Sequence, residues 1–208
     1  MALIDALVTA GGKGTRMKGV EGEKPLLPVL GRPMVDRVLD ALRSSASVGT
    51  VYASVSDNAP RTREHLRGQG VTVVETLGAG YVIDLNQAMG RISAPLVLVC
   101  PADMPLLSGR LIDVIESHYL GAGVASLSVA VPAEVVRSLG AAPSFTLDVD
   151  GLEAVLCGVS IVDRVRMLTE EVLSQGYMLS RDERFALNIN TPDDLAAAER
   201  WLSIHGRD

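Results

Sequence analysis

The chain reads as an α/β protein with a largely parallel central sheet buried between helices. Two observations predict this. Short apolar runs bounded by turn residues alternate with helical patterns through the first 120 residues, which is the rhythm of βαβ units. The composition is 48% hydrophobic but only 3% aromatic, so the core must be built from Val, Leu, Ile and Ala, the residues of strands buried on both sides. At 208 residues that core closes without disulfides or structural metal, and one domain over residues 1–208 is expected.

The elements follow in order. Apolar, β-branched runs predict strands over residues 6–10, 50–55, 71–74, 96–100, 125–131, 155–162 and 186–189. Helical spacing predicts helices over 33–44, 60–68, 81–91, 108–120 and 165–175. A last helix over 191–204 has Thr191 as its N-cap, Pro192 in its first turn, and Asp193 and Asp194 at the positive end of its dipole. The alternation breaks between about 121 and 184, where shorter strands with turns at Ala142–Pro143 and Asp150–Gly151 are expected within the same domain.

The net charge of −6 argues against nonspecific binding of nucleic acid or anionic membrane. Any anionic ligand must meet a local basic site. Cys100 and Cys157 lack metal-ligand spacing and read as free thiols of a cytoplasmic protein. The apolar stretch from Leu3 to Ala10 contains Asp5 and is too short to span a bilayer, so no stable membrane insertion is expected. His65, His118 and His205 are scattered and suggest neither a metal site nor a nucleophilic triad, while Trp201 reads as a packing anchor.

The strongest motif follows the first strand: Ala10-Gly11-Gly12-Lys13-Gly14-Thr15-Arg16-Met17. Three glycines in four positions let backbone N–H groups approach phosphates, and Lys13 and Arg16 can neutralise them. The spacing fits neither a P-loop nor the dinucleotide fingerprint; a plain glycine-rich turn is the alternative. Soon after comes Glu23-Lys24-Pro25-Leu26. Pro25 keeps the preceding residue extended, so Lys24 can reach back to the same phosphates. Alone, Lys24 would read as a solvated surface lysine; behind the glycine loop, the phosphate role is favoured.

Two further segments supply oxygen ligands. Pro101-Ala102-Asp103-Met104-Pro105 follows a predicted strand, and ligands gather at the carboxyl ends of strands in open parallel sheets. Asp103 there suits Mg²⁺, or else caps a turn. In Asn188-Ile189-Asn190-Thr191, strand alternation puts both asparagines on one side, and Asn190 can complete a metal site with Asp103.

Together these blocks resemble nucleotidyltransferases of the molybdenum-cofactor guanylyltransferase and sugar-nucleotide pyrophosphorylase type, in the family's order and over nearly the whole chain. The resemblance implies a Rossmann-like three-layer α/β sandwich with a mostly parallel, mixed central sheet, of the nucleotide-diphospho-sugar transferase type. Within that superfamily Gly78-Ala79-Gly80-Tyr81-Val82-Ile83-Asp84-Leu85-Asn86, with softer likeness at 56–62 and 158–162, resembles the archaeal GTP:adenosylcobinamide-phosphate guanylyltransferases of cobalamin synthesis. Molybdenum-cofactor enzymes more often carry a Gly-Pro-Leu-Ala-Gly-type turn at this point.

The resemblance implies roles by position. Ala10, Gly11, Gly12, Gly14 and Thr15 would approach the nucleotide, and Ser54, Ser56, Gly78 and Gly80 would face its base and ribose. Lys13, Arg16 and Lys24 would hold the phosphates and Asp103 a Mg²⁺ ion, with Asn190 as second ligand. Asp84 and Asn86 would help place the acceptor, or face solvent or pack within a helix; for Gly78 and Gly80 the alternative is a turn capping the next helix. GTP and adenosylcobinamide phosphate are the implied substrates. A sheet edge or the final helix offers a route to a homodimer. Rival readings are transfer to molybdopterin or a sugar phosphate, a nucleotide-binding regulatory domain without transfer, and an interaction scaffold.

Overall fold

Ala6 and Val8 pack on one side of the first strand and Leu7 on the other. All three are fully buried, so the strand lies inside a sheet covered on both faces. The computed structural model describes residues 4–12, 14, 17, 21–143, 145–170 and 172–206. Its first half runs β1 (Ile4–Thr9), β2 (Pro28–Val29), β3 (Arg32–Pro33), α1 (Met34–Ser44), β4 (Val48–Ser56), α2 (Pro60–Gly68), β5 (Thr72–Thr76) and α3 (Tyr81–Met89). The second half runs β6 (Leu96–Pro101), α4 (Gly109–Ala122), β7 (Ser126–Pro132), α5 (Ala133–Ser138), β8 (Leu147–Val149), β9 (Leu152–Asp163), α6 (Arg164–Thr169), β10 (Gln175–Leu179), α7 (Glu183–Ala186) and α8 (Pro192–His205).

The main sheet has the order β10-β7-β9-β6-β1-β4-β5, with β8 added against β9. β9 alone runs against its neighbours β6, β7 and β8; the other pairings are parallel. This is the mixed, mostly parallel sheet expected. Helices α1, α2, α4 and α5 cover one face, through Val38, Leu66, Ile112 and Val136 among others. Helix α3, through Ala88 and Met89, covers the other, and Met167 of α6 packs against that cluster. Helix α8 begins with the predicted cap. Thr191 Oγ1 accepts from the Asp194 N–H at 3.2 Å, and Asp194 Oδ2 accepts from the Thr191 N–H at 2.8 Å. Trp201 stacks on His205 and donates to Glu183 Oε2 at 2.9 Å, tying α8 to α7.

Three local expectations are corrected. Residues 186–189 are not a strand: α7 ends at Ala186, and the Ile189 N–H donates to the Asp103 carbonyl at 3.0 Å instead of to a ladder. The alternation was real, because Leu187 and Ile189 are buried in the cluster that α8 covers, but one loop contact uses it. The helix predicted over 165–175 stops at Thr169. Past Thr169, Val172 is exposed while Leu173 packs against the cluster on the α3 side of the sheet, and the chain forms edge strand β10 instead, parallel to β7. The short α5 has no counterpart in the expected order; six residues carry too little periodicity to read. The turn at Asp150–Gly151 stands as expected, joining β8 to β9 with positive φ at both residues.

Candidate active site

The parallel strands β1, β4, β5 and β6 end on one edge of the sheet, where open α/β sheets collect ligands. In register, Thr9 at the end of β1 sits between Ser54 of β4 and Pro101 of β6. A cavity of about 690 Å³ opens over these ends. Of the residues singled out from sequence, Ala10, Gly11, Gly12, Gly14, Lys24, Ser54, Gly78, Gly80, Asp84, Asp103 and Asn190 line it. Lys13, Thr15 and Arg16 lie outside the described residues.

The glycine loop is held from behind. Ala10 N–H donates to the Ser54 carbonyl at 2.9 Å, and Ser56 Oγ donates to the Gly11 carbonyl at 2.8 Å. A Cβ on Gly11 would come within 2.8 Å of the Ser56 backbone nitrogen, so only glycine passes there. Ser56 is fully buried and supports the loop without lining the cavity. The same hydroxyl accepts from Asn58 Nδ2 at 3.0 Å, which turns Asn58 toward the pocket.

A second part of the lining is the loop from Gly78 to Gly80. Gly78 has φ +67°, and a Cβ there would meet Asn58 Nδ2 at 2.8 Å. Asp84 Oδ1 accepts from the N–H groups of Gly78 at 2.9 Å and Ala79 at 3.3 Å. Asp84 therefore lines the cavity while shaping its wall. Asn86 stands on the exposed side of α3, outside the lining.

At the centre, Lys24 Nζ pairs with Asp103 Oδ2 and donates to Asn190 Oδ1 at 3.0 Å. The two charged side chains are only 15% and 17% exposed, so water screens their attraction weakly. Asn190 Nδ2 donates to Asn188 Oδ1 at 2.9 Å, confirming that both asparagines face one side. Asp103 Oδ1 is buried and has no hydrogen-bond partner among the described residues. A buried carboxylate oxygen without a donor beside a neutral amide oxygen is a donor set suited to a hard divalent cation. No three His, Cys, Asp or Glu side chains among the described residues cluster to hold a metal, so remaining ligands would come from phosphates and water.

Lys24 reaches this place because Glu23 is anchored. Its carboxylate accepts from the N–H groups of Arg61 at 2.8 Å and Thr62 at 2.6 Å, capping α2, whose own N-cap, Ala59, has no side chain to do so. Partial burial works to raise the Glu23 pKa, but the contacts with Thr62 and Arg61 outweigh it and hold the carboxyl below its ordinary range. Sequence reasoning also missed Thr76 and Tyr81 as lining residues; their signal was position, at the end of β5 and the start of α3. Cys100 and Cys157 are buried and supply no nucleophile. Burial pushes the Cys157 thiol up to about 12 and, with Cys157 and Asp103 adding to it, Cys100 well above the usual thiol range.

Comparison with known proteins identifies the family and the fold. Residues 6–177 match the family described as MobA-like NTP transferase domain. Over 213 aligned residues the chain is 34% identical to the adenosylcobinamide-phosphate guanylyltransferase of Methanocaldococcus jannaschii, covering 98% of this chain and 100% of that one. It is 35% identical over 125 residues to the bifunctional protein GlmU of Pelobacter propionicus, covering 57% of this chain and 26% of that one. Among solved structures, CMP:2-keto-3-deoxy-manno-octonic acid synthetase complexed with CTP superposes with a TM-score of 0.71 at 13% identity, over 98% of this chain and 99% of that one. HddC of Yersinia pseudotuberculosis gives 0.70 at 18% identity, over 96% and 100%. At those identities the likeness concerns the fold.

Proposed function

The chain belongs to the MobA-like NTP transferase family, and on that premise we propose that it is a guanylyltransferase moving GMP from GTP to adenosylcobinamide phosphate. The products are adenosylcobinamide-GDP and pyrophosphate, a step of cobalamin biosynthesis. The reading is carried by one observation: a glycine loop and a Lys24–Asp103–Asn190 cluster share a cavity in a chain 34% identical to a corrinoid guanylyltransferase over that protein's full length. Residues 1–208 are read as one nucleotidyltransferase domain, supported by a sheet that runs unbroken from β10 to β5.

An oxygen of the acceptor phosphate attacks the α-phosphorus of GTP in line. The new P–O bond forms as the bond to the β-phosphate bridge breaks, and the electron pair leaves with pyrophosphate. A phosphate monoester is already an anionic nucleophile, so no strong general base is required. Gly11, Gly12 and Gly14 let backbone approach the triphosphate. Lys24 moves from Asp103 onto a phosphate oxygen and offsets the charge that builds there; Lys13 and Arg16 are assigned the same work. Ser54, Gly78 and Gly80 bound the base and ribose. Asp103 and Asn190 would hold Mg²⁺, which when bound offsets phosphate charge. Two neutral, buried thiols fit the cytoplasm, where GTP is available.

The acceptor is tested by product mass. The protein is incubated with Mg²⁺, GTP and either adenosylcobinamide phosphate, molybdopterin or a sugar 1-phosphate. Adenosylcobinamide-GDP is the product expected, and a guanylylated pterin or sugar in its place would overturn the assignment.

A further inference from the structure

A cavity of about 690 Å³ holds one cofactor-sized ligand. A nucleoside triphosphate along the glycine loop takes most of that room. An acceptor built on a corrin ring can then bring only its phosphate inside, and its macrocycle must lie on the rim.

One stretch of rim is apolar and continuous with the lining. Gly80, Tyr81, Asp84 and Leu85 line the cavity at the start of α3. Beside them Tyr81 is 60% exposed, Val82 67%, Ile83 49%, and Leu77, just before the loop, 75%. A surface helix ordinarily buries one apolar stripe and turns polar residues outward. The far end of α3 does so, burying Ala88 and Met89 against the sheet, but its first turn is apolar on the outside as well. Contiguous exposed apolar surface marks a binding face, whereas single exposed side chains do not; Tyr81 lines the cavity and Leu77, Val82 and Ile83 each stand next to a lining residue in the chain, whereas Val114 and Ile204, on α4 and α8, do not. Asn86 stands four residues after Val82 and three after Ile83, hence on the same side of the helix. It is exposed.

We propose that Leu77, Tyr81, Val82 and Ile83 form a platform that carries the apolar face of the corrin ring, with Asn86 hydrogen-bonding the primary amides at the ring's edge. This rests on the proposed corrinoid acceptor. It also gives Asn86 a role outside the cavity, and it explains a helix start whose apolar side chains contribute nothing to the core. Asp84 holds the platform to the nucleotide wall through Gly78 and Ala79.

The test compares the wild-type protein with Val82→Asn/Ile83→Asn, both sites being exposed and outside the packed core. KM for adenosylcobinamide phosphate is measured at saturating GTP, and Kd for GTP is measured without acceptor. The platform predicts a rise in corrinoid KM of about tenfold or more, the scale of one apolar side chain lost from a contact, with Kd for GTP unchanged. Normal transfer with an unchanged corrinoid KM overturns the platform alone. An equal loss of GTP affinity assigns the turn to the nucleotide and also overturns it. If sedimentation shows the substitutions dissociating a dimer while corrinoid KM stays put, the surface joins two copies instead. No transfer to the corrinoid by the wild-type protein removes the acceptor reading and the platform with it.

Discussion

Lys24 holds two oxygen ligands at once, Asp103 and Asn190, in the cavity lined by the glycine loop. Its charge acts where phosphate charge builds up during transfer, so its loss should fall mainly on the chemical step. Lys24→Ala is expected to lower kcat by about 10²–10³-fold, the scale for removing one such electrostatic contact. Circular dichroism checks that the variant folds; near-normal turnover of a folded Lys24→Ala protein would remove its assigned role. The buried thiols make a second prediction. Iodoacetamide at pH 8 should leave Cys100 and Cys157 unmodified in the native protein, because burial keeps both protonated, and should label both after denaturation. Lys24 and Asp103 could be singled out in sequence because each stands beside a recognisable turn or strand end, whereas Asn190 was singled out by a strand alternation that the structure replaces with a loop. Ser56 was expected to face the base and ribose, but it is buried behind the cavity lining. Its real task, bracing Gly11, depends on a contact across 45 positions that no local pattern carries.

Glu23 couples two elements, the turn that presents Lys24 and the start of α2. Removing the cap should cost about 0.5–2 kcal/mol, so Glu23→Ala should unfold at lower temperature in calorimetry. Its folded pKa is held below the ordinary glutamate range, so its contribution is present above the unfolded pKa and is lost as pH falls through the folded value. The gap in Tm between wild type and Glu23→Ala should therefore be full at neutral pH and close in acid below about pH 4. A gap that stayed constant into acid would contradict the capping role. At this scale the sequence was least informative where elements are short. The strand expected at 186–189 failed because alternation also describes a loop packed under a helix. The helix expected to 175 failed because spacing alone does not say which partner a segment will take, and the chain after Thr169 goes on to pair with β7 as β10.

Across the molecule, the order of the parallel strands brings segments from residues 9, 24, 54, 78, 103 and 190 to one edge of the sheet. The βαβ rhythm made that edge predictable, and most of the nucleotide wall with it. What the rhythm could not give was the reversed strand β9 with β8 beside it, since antiparallel pairing depends on partners far apart in sequence. Asp103 and Asn190 as a cation site predict that chelation by EDTA abolishes transfer and that added Mg²⁺ restores it; transfer unaffected by EDTA would remove that site. The central claim is transfer of a nucleotidyl group to a corrinoid phosphate in this cavity. It is tested most directly with GTP radiolabelled at either the α- or the γ-phosphorus, offered with Mg²⁺ and adenosylcobinamide phosphate. The account predicts that α-label enters the corrinoid product and γ-label is released in pyrophosphate. Label passing from the γ-position to the acceptor, or no label reaching it from either position, would contradict the account.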